Sequence, residues 1–76
     1  MYERIRNLRE DSDLTQQNMA DMLFINRRTY SSYEVGKRGI PTEILCKIAD
    51  IFNTSIDYLV GRTNTKKPYP KSDRSE

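Results

Sequence analysis

Residues 14–36, LTQQNMADMLFINRRTYSSYEVG, read as two short helices joined by a tight turn, the second closed by a glycine. Thr15 is an N-cap type ahead of Gln16, and Met19, Ala20 and Leu23 recur behind it at helical spacing. Asn26 caps a second run carrying Arg27, Arg28, Tyr30 and Tyr33, and Gly36 supplies a left-handed stop. The pattern predicts helices from Gln16 to about Leu23 and from Arg27 to about Val35. Tyr30 and Tyr33, three apart, share the inward face, which leaves Arg27, Arg28, Ser31 and Ser32 outward. Asn18 stands where a capping box has Glu or Gln, so the box at Thr15 is expected to be weak.

On the N-terminal side Tyr2, Ile5, Leu8 and Arg9 lie along one stripe and predict an amphipathic helix from Tyr2 to about Asp11. On the C-terminal side Pro41 fits the first turn of a fourth helix, whose Ile44, Leu45, Ile48, Ala49 and Phe52 close the core. A short fifth helix follows from the Ser55 cap, Asp57 in the first turn, and Ile56 and Leu59 before Gly61. No stretch alternates with period two, so the expected class is all-α with five helices and no sheet. Residues 62–76, RTNTKKPYPKSDRSE, hold no aliphatic residue and cannot bury a core. We read residues 1–61 as one domain and 62–76 as a disordered polar, basic tail; the other reading of the tail is a basic arm or dimer contact around Tyr69.

Length and composition exclude most chemistry. A chain of 76 residues buries only about 60% of its extended surface, and an enclosed catalytic cleft normally needs a larger body. Histidine is absent and Cys46 is the only cysteine, so there is no zinc-ligand set and no Ser-His or Cys-His pair. Neither enzyme activity nor a metal, cofactor or small-molecule ligand is expected. Cys46 lies off the apolar face of its helix and is expected to be partly exposed. No apolar run reaches membrane-spanning length and the N-terminus has no signal-peptide pattern, which points to a soluble intracellular protein without membrane contact.

Net charge is only +2, but it is unevenly placed. Residues 1–25 carry three arginines against five acids, residues 26–42 four bases against Glu34, residues 43–61 one lysine against three acids, and residues 62–76 five bases against two acids. Positive charge therefore gathers on the second helix of the motif with its following loop, and on the tail. Either block could be a plain solvated face; together they suit a phosphate-facing surface.

The LTQ triplet, Ala20, Leu23, Ile25 and the YSSYE pattern ending at Gly36 resemble the DNA-binding domain of the phage repressor and Cro family, also called the XRE family, from about Ile5 to Gly61. The resemblance implies a compact five-helix lambda-repressor-like domain that acts as a sequence-specific, double-stranded DNA-binding transcriptional regulator. A repressor that binds a palindromic operator as a weak homodimer, paired on DNA, fits best. It would be a prokaryotic or phage-encoded protein of the cytoplasm, associated with the nucleoid. Base-reading positions then fall on Arg27, Arg28 and Ser32, with Ser31 beside them; a bidentate arginine-guanine contact predicts a G-containing half-site. Gln16 and Thr15 at the start of helix two, and Lys37 and Arg38 in the GKRG loop, would hold phosphates. Arg9 and Glu34 would form a partly buried structural ion pair, and Tyr30 and Tyr33 would pack their rings inward with hydroxyls near the surface. Copies would meet around Tyr58, Leu59, Val60 and the start of the tail.

Phe24 departs from the pattern, since the family has glycine at this turn. Either the backbone stays at negative φ there, or strain is accepted so that the ring can pack. Two other functions share these features: a control protein of a toxin-antitoxin or restriction-modification operon, and a protein-protein interaction module on the same fold.

Overall fold

Side-chain caps begin most of the helices and left-handed residues end all of them. The computed structural model describes residues 2–68, in which α1 (Glu3–Asp11), α2 (Gln16–Leu23), α3 (Arg27–Glu34), α4 (Thr42–Ile51) and α5 (Ile56–Leu59) follow one another without a strand among the described residues. Thr15 Oγ1 accepts from the Asn18 amide at 3.0 Å, Asn26 Oδ1 from the Thr29 amide at 2.7 Å, and Ser55 Oγ from the Tyr58 amide at 3.0 Å. The capping box at α2 is complete, because the Asn18 amide oxygen reaches back to the Thr15 N–H at 2.9 Å. Asparagine is one methylene shorter than glutamine but still spans this distance, so the expected weakness is not seen. Pro41 is the N-cap of α4 rather than a residue of its first turn, its ψ of 148° being extended.

Each helix ends on a residue with positive φ, followed by an amide that bonds back five residues. The left-handed residues are Asp13 (φ 59°), Phe24 (59°), Gly36 (85°), Asn53 (53°) and Gly61 (85°). The closing bonds run from the amides of Leu14, Ile25, Lys37, Thr54 and Arg62 to the carbonyls of Arg9, Ala20, Ser32, Ala49 and Asp57. Glycine adopts this conformation freely and Asp and Asn tolerate it; phenylalanine does neither, at a cost of about 1–2 kcal/mol.

Phe24 gains no burial in return. The residue is 89% exposed, and its ring contact is with Lys47 of α4, whose Nζ lies 5.9 Å from the ring centroid. An exposed cation-π contact contributes about 0.5–1 kcal/mol, less than the backbone term. Strain is thus accepted at this turn without the packing that was expected to accompany it. Phe24→Gly should raise stability by about 1 kcal/mol, a gain of several degrees in Tm for a domain this size. A melting temperature that stayed level or fell would show that the ring contributes contacts to the fold.

The core is one cluster of Ile5, Leu8, Met19, Ala20, Leu23, Tyr30, Ile48, Ala49 and Leu59. From the broad apolar face of α4 only Ile48 and Ala49 are buried; Ile44, Leu45 and Phe52 pack half-exposed around them. Leu59 is 2% exposed and belongs to the core, so it cannot present itself to a second copy. Tyr58 is half-buried and its ring is covered by the Arg4 guanidinium, 4.3 Å from the centroid; of the three residues expected at a dimer contact, Val60 alone is exposed.

Arg4 also fixes the start of the tail. Its guanidinium donates to the carbonyls of Tyr58 and Thr63 and to Asn64 Oδ1, and Thr54 Oγ1 donates to the Lys66 carbonyl. Residues 62–68 therefore run without regular secondary structure but are tied to α1, α5 and the residue before the Ser55 cap. The rest of the expected polar tail, 69–76 with Tyr69, lies outside the described residues. At the other end, the Tyr2 amide bonds to the Glu34 carbonyl at 3.2 Å and joins the N-terminus to the end of α3.

Candidate nucleic-acid interface

The placement of α3 rests on one carboxylate. Glu34, 3% exposed at the last turn of α3, receives four donors. Arg9 of α1 approaches side-on, with Nε to Oε2 at 2.9 Å and Nη2 to Oε1 at 3.1 Å; Tyr30 Oη reaches Oε2 at 2.6 Å, and Gln16 Nε2 of α2 reaches Oε1 at 3.2 Å. The remaining Arg9 nitrogen, Nη1, donates to the Leu14 carbonyl at 2.8 Å. Helices α1, α2 and α3 are thereby joined through side-chain bonds that saturate a buried anion, the condition under which such a charge is tolerated.

Electrostatics follow from this geometry. Burial pushes the Glu34 carboxyl up, but the hydrogen bonds from Arg9, Tyr30 and Gln16 and the Arg9 charge outweigh it and hold it below the ordinary carboxylate value. The bond to Glu34 raises the Arg9 guanidinium against the opposing effect of burial. Burial, then the bond to Glu34, drives the Tyr30 hydroxyl far above the usual phenol range. Tyr30 is 0% exposed, so its hydroxyl is an internal donor and not a group near the surface as the sequence suggested.

What α3 shows to solvent is correspondingly simple. Arg27 and Arg28 are exposed on its first turn, Ser31 and Ser32 are half-buried one turn on, and these four with Val35 and Lys37 line a shallow depression. Lys37 and Arg38 are exposed just beyond Gly36, and both of their amides bond to the Ser32 carbonyl, at 3.0 and 3.3 Å. Glu34, the one acid between residues 26 and 42, is turned inside and neutralised by Arg9, so the four cations face solvent undiluted.

Thr15 and Gln16 sit at the start of α2, with Gln16 half-buried. The Thr15 hydroxyl oxygen is taken by the cap, leaving its O–H to donate. One Gln16 amide hydrogen is committed to Glu34, leaving a second for an outside acceptor. Neither the Gln16 bond to Glu34 nor the Arg4 clamp was visible in the sequence; a polar side chain within reach of a buried carboxylate is recognisable only once the helices are packed. Among the described residues no helix is long and apolar enough to cross a membrane, and no group of three His, Cys, Asp or Glu side chains converges as a metal site would require.

Residues 5–59 match a protein family described as helix-turn-helix. The chain is 43% identical over 65 residues to an uncharacterised HTH-type transcriptional regulator, YqaE, of Bacillus subtilis strain 168, covering 84% of this chain and 56% of that protein. It is 37% identical over 70 residues to the HTH-type transcriptional regulator AnsR of the same organism, covering 92% and 60%. With RstR, the cryptic phage CTXphi transcriptional repressor of Vibrio cholerae, it shares 47% over 64 residues, covering 83% and 56%. The chain thus spans between half and two thirds of the length of these relatives. No solved structure matches the chain.

Proposed function

The chain belongs to the Cro/repressor-type helix-turn-helix family, whose members are DNA-binding and not enzymatic, and on that footing we propose that it is a transcriptional regulator, a repressor that occupies a palindromic operator through α3. The observation that carries this is the exposed cationic face of Arg27, Arg28, Lys37 and Arg38 around a helix whose single acid is buried against Arg9.

Residues at the start of a helix set in the major groove reach base edges, and an arginine there gives two parallel hydrogen bonds to guanine O6 and N7. Arg27 and Arg28 take that role, with Ser32 and Ser31 one turn further along for hydroxyl contacts. Thr15 O–H, the free hydrogen of the Gln16 amide, and the basic loop at Lys37 and Arg38 hold phosphates on either side, setting register without reading sequence. Glu34 and Arg9 take no part in contact; they fix the angle at which α3 leaves the body. Two copies on half-sites about one helical turn apart, 34–36 Å, supply the specificity that a single head lacks, and pairing is weak in solution because Leu59 and Tyr58 are already covered.

Selection of bound sequences from a random duplex library tests the reading. Enrichment of a G-containing inverted repeat is the expected result; absence of any enrichment would sink it and favour a protein partner for the basic face. Lys37→Ala should weaken every duplex alike and lower the slope of log K against log salt by about 0.9 for each copy bound. Titrations at several salt concentrations check this, and an unchanged slope would remove Lys37 from the phosphate contacts.

A further inference from the structure

We propose that Phe24 is a further base-reading residue, its ring seated against the 5-methyl group of a thymine beside the bases met by Arg27 and Arg28, with Lys47 against a neighbouring phosphate. This rests on the DNA-reading function proposed above. Five helices stop on a left-handed residue, and four of the five are Asp, Gly, Asn and Gly, types suited to it. At the fifth stop a bulky apolar residue holds the same backbone angle and keeps its side chain 89% exposed. The fold would be better served by glycine, so what the ring contributes must come from a contact outside the chain.

Position and charge say which contact. Phe24 stands two residues ahead of the Asn26 cap, at the end of α3 that carries the two arginines. Lys47, the only base on α4, is the cation beside its ring. An exposed aromatic ring with an ammonium over one face, next to a helix start that carries two arginines, suits a polyanion that displays an apolar group. In the major groove that group is the thymine methyl, which apolar side chains including phenylalanine recognise by contact. The residue therefore adds a thymine to a half-site otherwise read through guanines.

The test uses the duplex enriched by selection, with each thymine replaced in turn by deoxyuridine, which keeps every hydrogen bond and lacks only the methyl group. The native protein should lose about fourfold in affinity at one thymine per half-site, the equivalent of one buried methyl group. Phe24→Gly should bind the unmodified duplex more weakly, show no further loss at that thymine, and melt at a higher temperature than the native chain. Lys47→Ala should weaken binding on every duplex and preserve the discrimination. A flat deoxyuridine scan, or a loss that persists unchanged in Phe24→Gly, overturns the assignment while leaving the arginine contacts standing. Failure of any sequence to enrich would overturn both.

Discussion

Glu34→Gln is expected to cost about 3–5 kcal/mol, the penalty for removing one partner of a buried ion pair. That is a large share of the stability of a domain whose total lies at the low end of about 5–15 kcal/mol. The isosteric amide keeps the volume but leaves the Arg9 guanidinium without its counter-charge, and it leaves Tyr30 and Gln16 pointing donors at a group with half the accepting capacity. Urea unfolding with a well-defined m-value measures the loss; a change under about 1 kcal/mol would show that the network is marginal. Replacing the whole set by apolar groups of similar size, Arg9→Met with Glu34→Leu and Tyr30→Phe, should recover most of the stability, because the desolvation penalty disappears along with the pair.

The same carboxylate gives the domain an acid limb of known sign. Glu34 is held below its ordinary value of 4.5 in the folded state, so the unfolded chain takes up the proton first. Its contribution is complete above that ordinary value and is lost as the pH falls from there through the lower folded one. In Glu34→Gln this part of the acid dependence should vanish, leaving a flatter curve below pH 4.5.

The double variant Arg27→Ala/Arg28→Ala should fold as the native chain does and lose at least a hundredfold in affinity for the selected operator. Each bidentate arginine-guanine contact is worth about 1–3 kcal/mol of discrimination, and both arginines are exposed, so their removal opens no cavity. Affinity for unrelated duplexes should fall far less, through the loss of two charges only. Binding to specific and unrelated duplexes at matched salt separates the two contributions. An equal loss on both would mean that the arginines act on phosphates and that sequence is read elsewhere.

How much of this could be read in the residues varied with the physics involved. Caps and stops are local chemistry, which is why α2 matched its predicted bounds and α3, ending at Glu34 with Val35 as its cap, fell within one residue of them. The outward placement of Arg27, Arg28, Ser31 and Ser32 was legible for a similar reason, since polarity at helical spacing decides which face meets solvent; their base-reading role came from the family resemblance alone. Long-range polar contacts were not. The Tyr30 hydroxyl was placed near the surface because nothing in the periodicity says that Glu34 turns inward to meet it, and Leu59 was assigned to an interface because burial depends on how α5 docks. Phe24 lay between these cases: the sequence identified the conflict at the turn, but only the packed structure showed that no burial resolves it.

The bond from the Tyr2 amide to the Glu34 carbonyl makes the two ends of the chain unequal as attachment points. Anything joined ahead of Tyr2 emerges against the last turn of α3, and an affinity handle or fluorophore there would sit beside the phosphate contacts proposed for Lys37 and Arg38. A label joined after Pro68 instead leaves from a segment that Arg4 and Thr54 have already fastened to the body. Immobilising the protein through its C-terminal side should therefore leave surface-based binding curves undistorted, whereas the same chemistry at the N-terminal side would report the handle's interference as lost affinity.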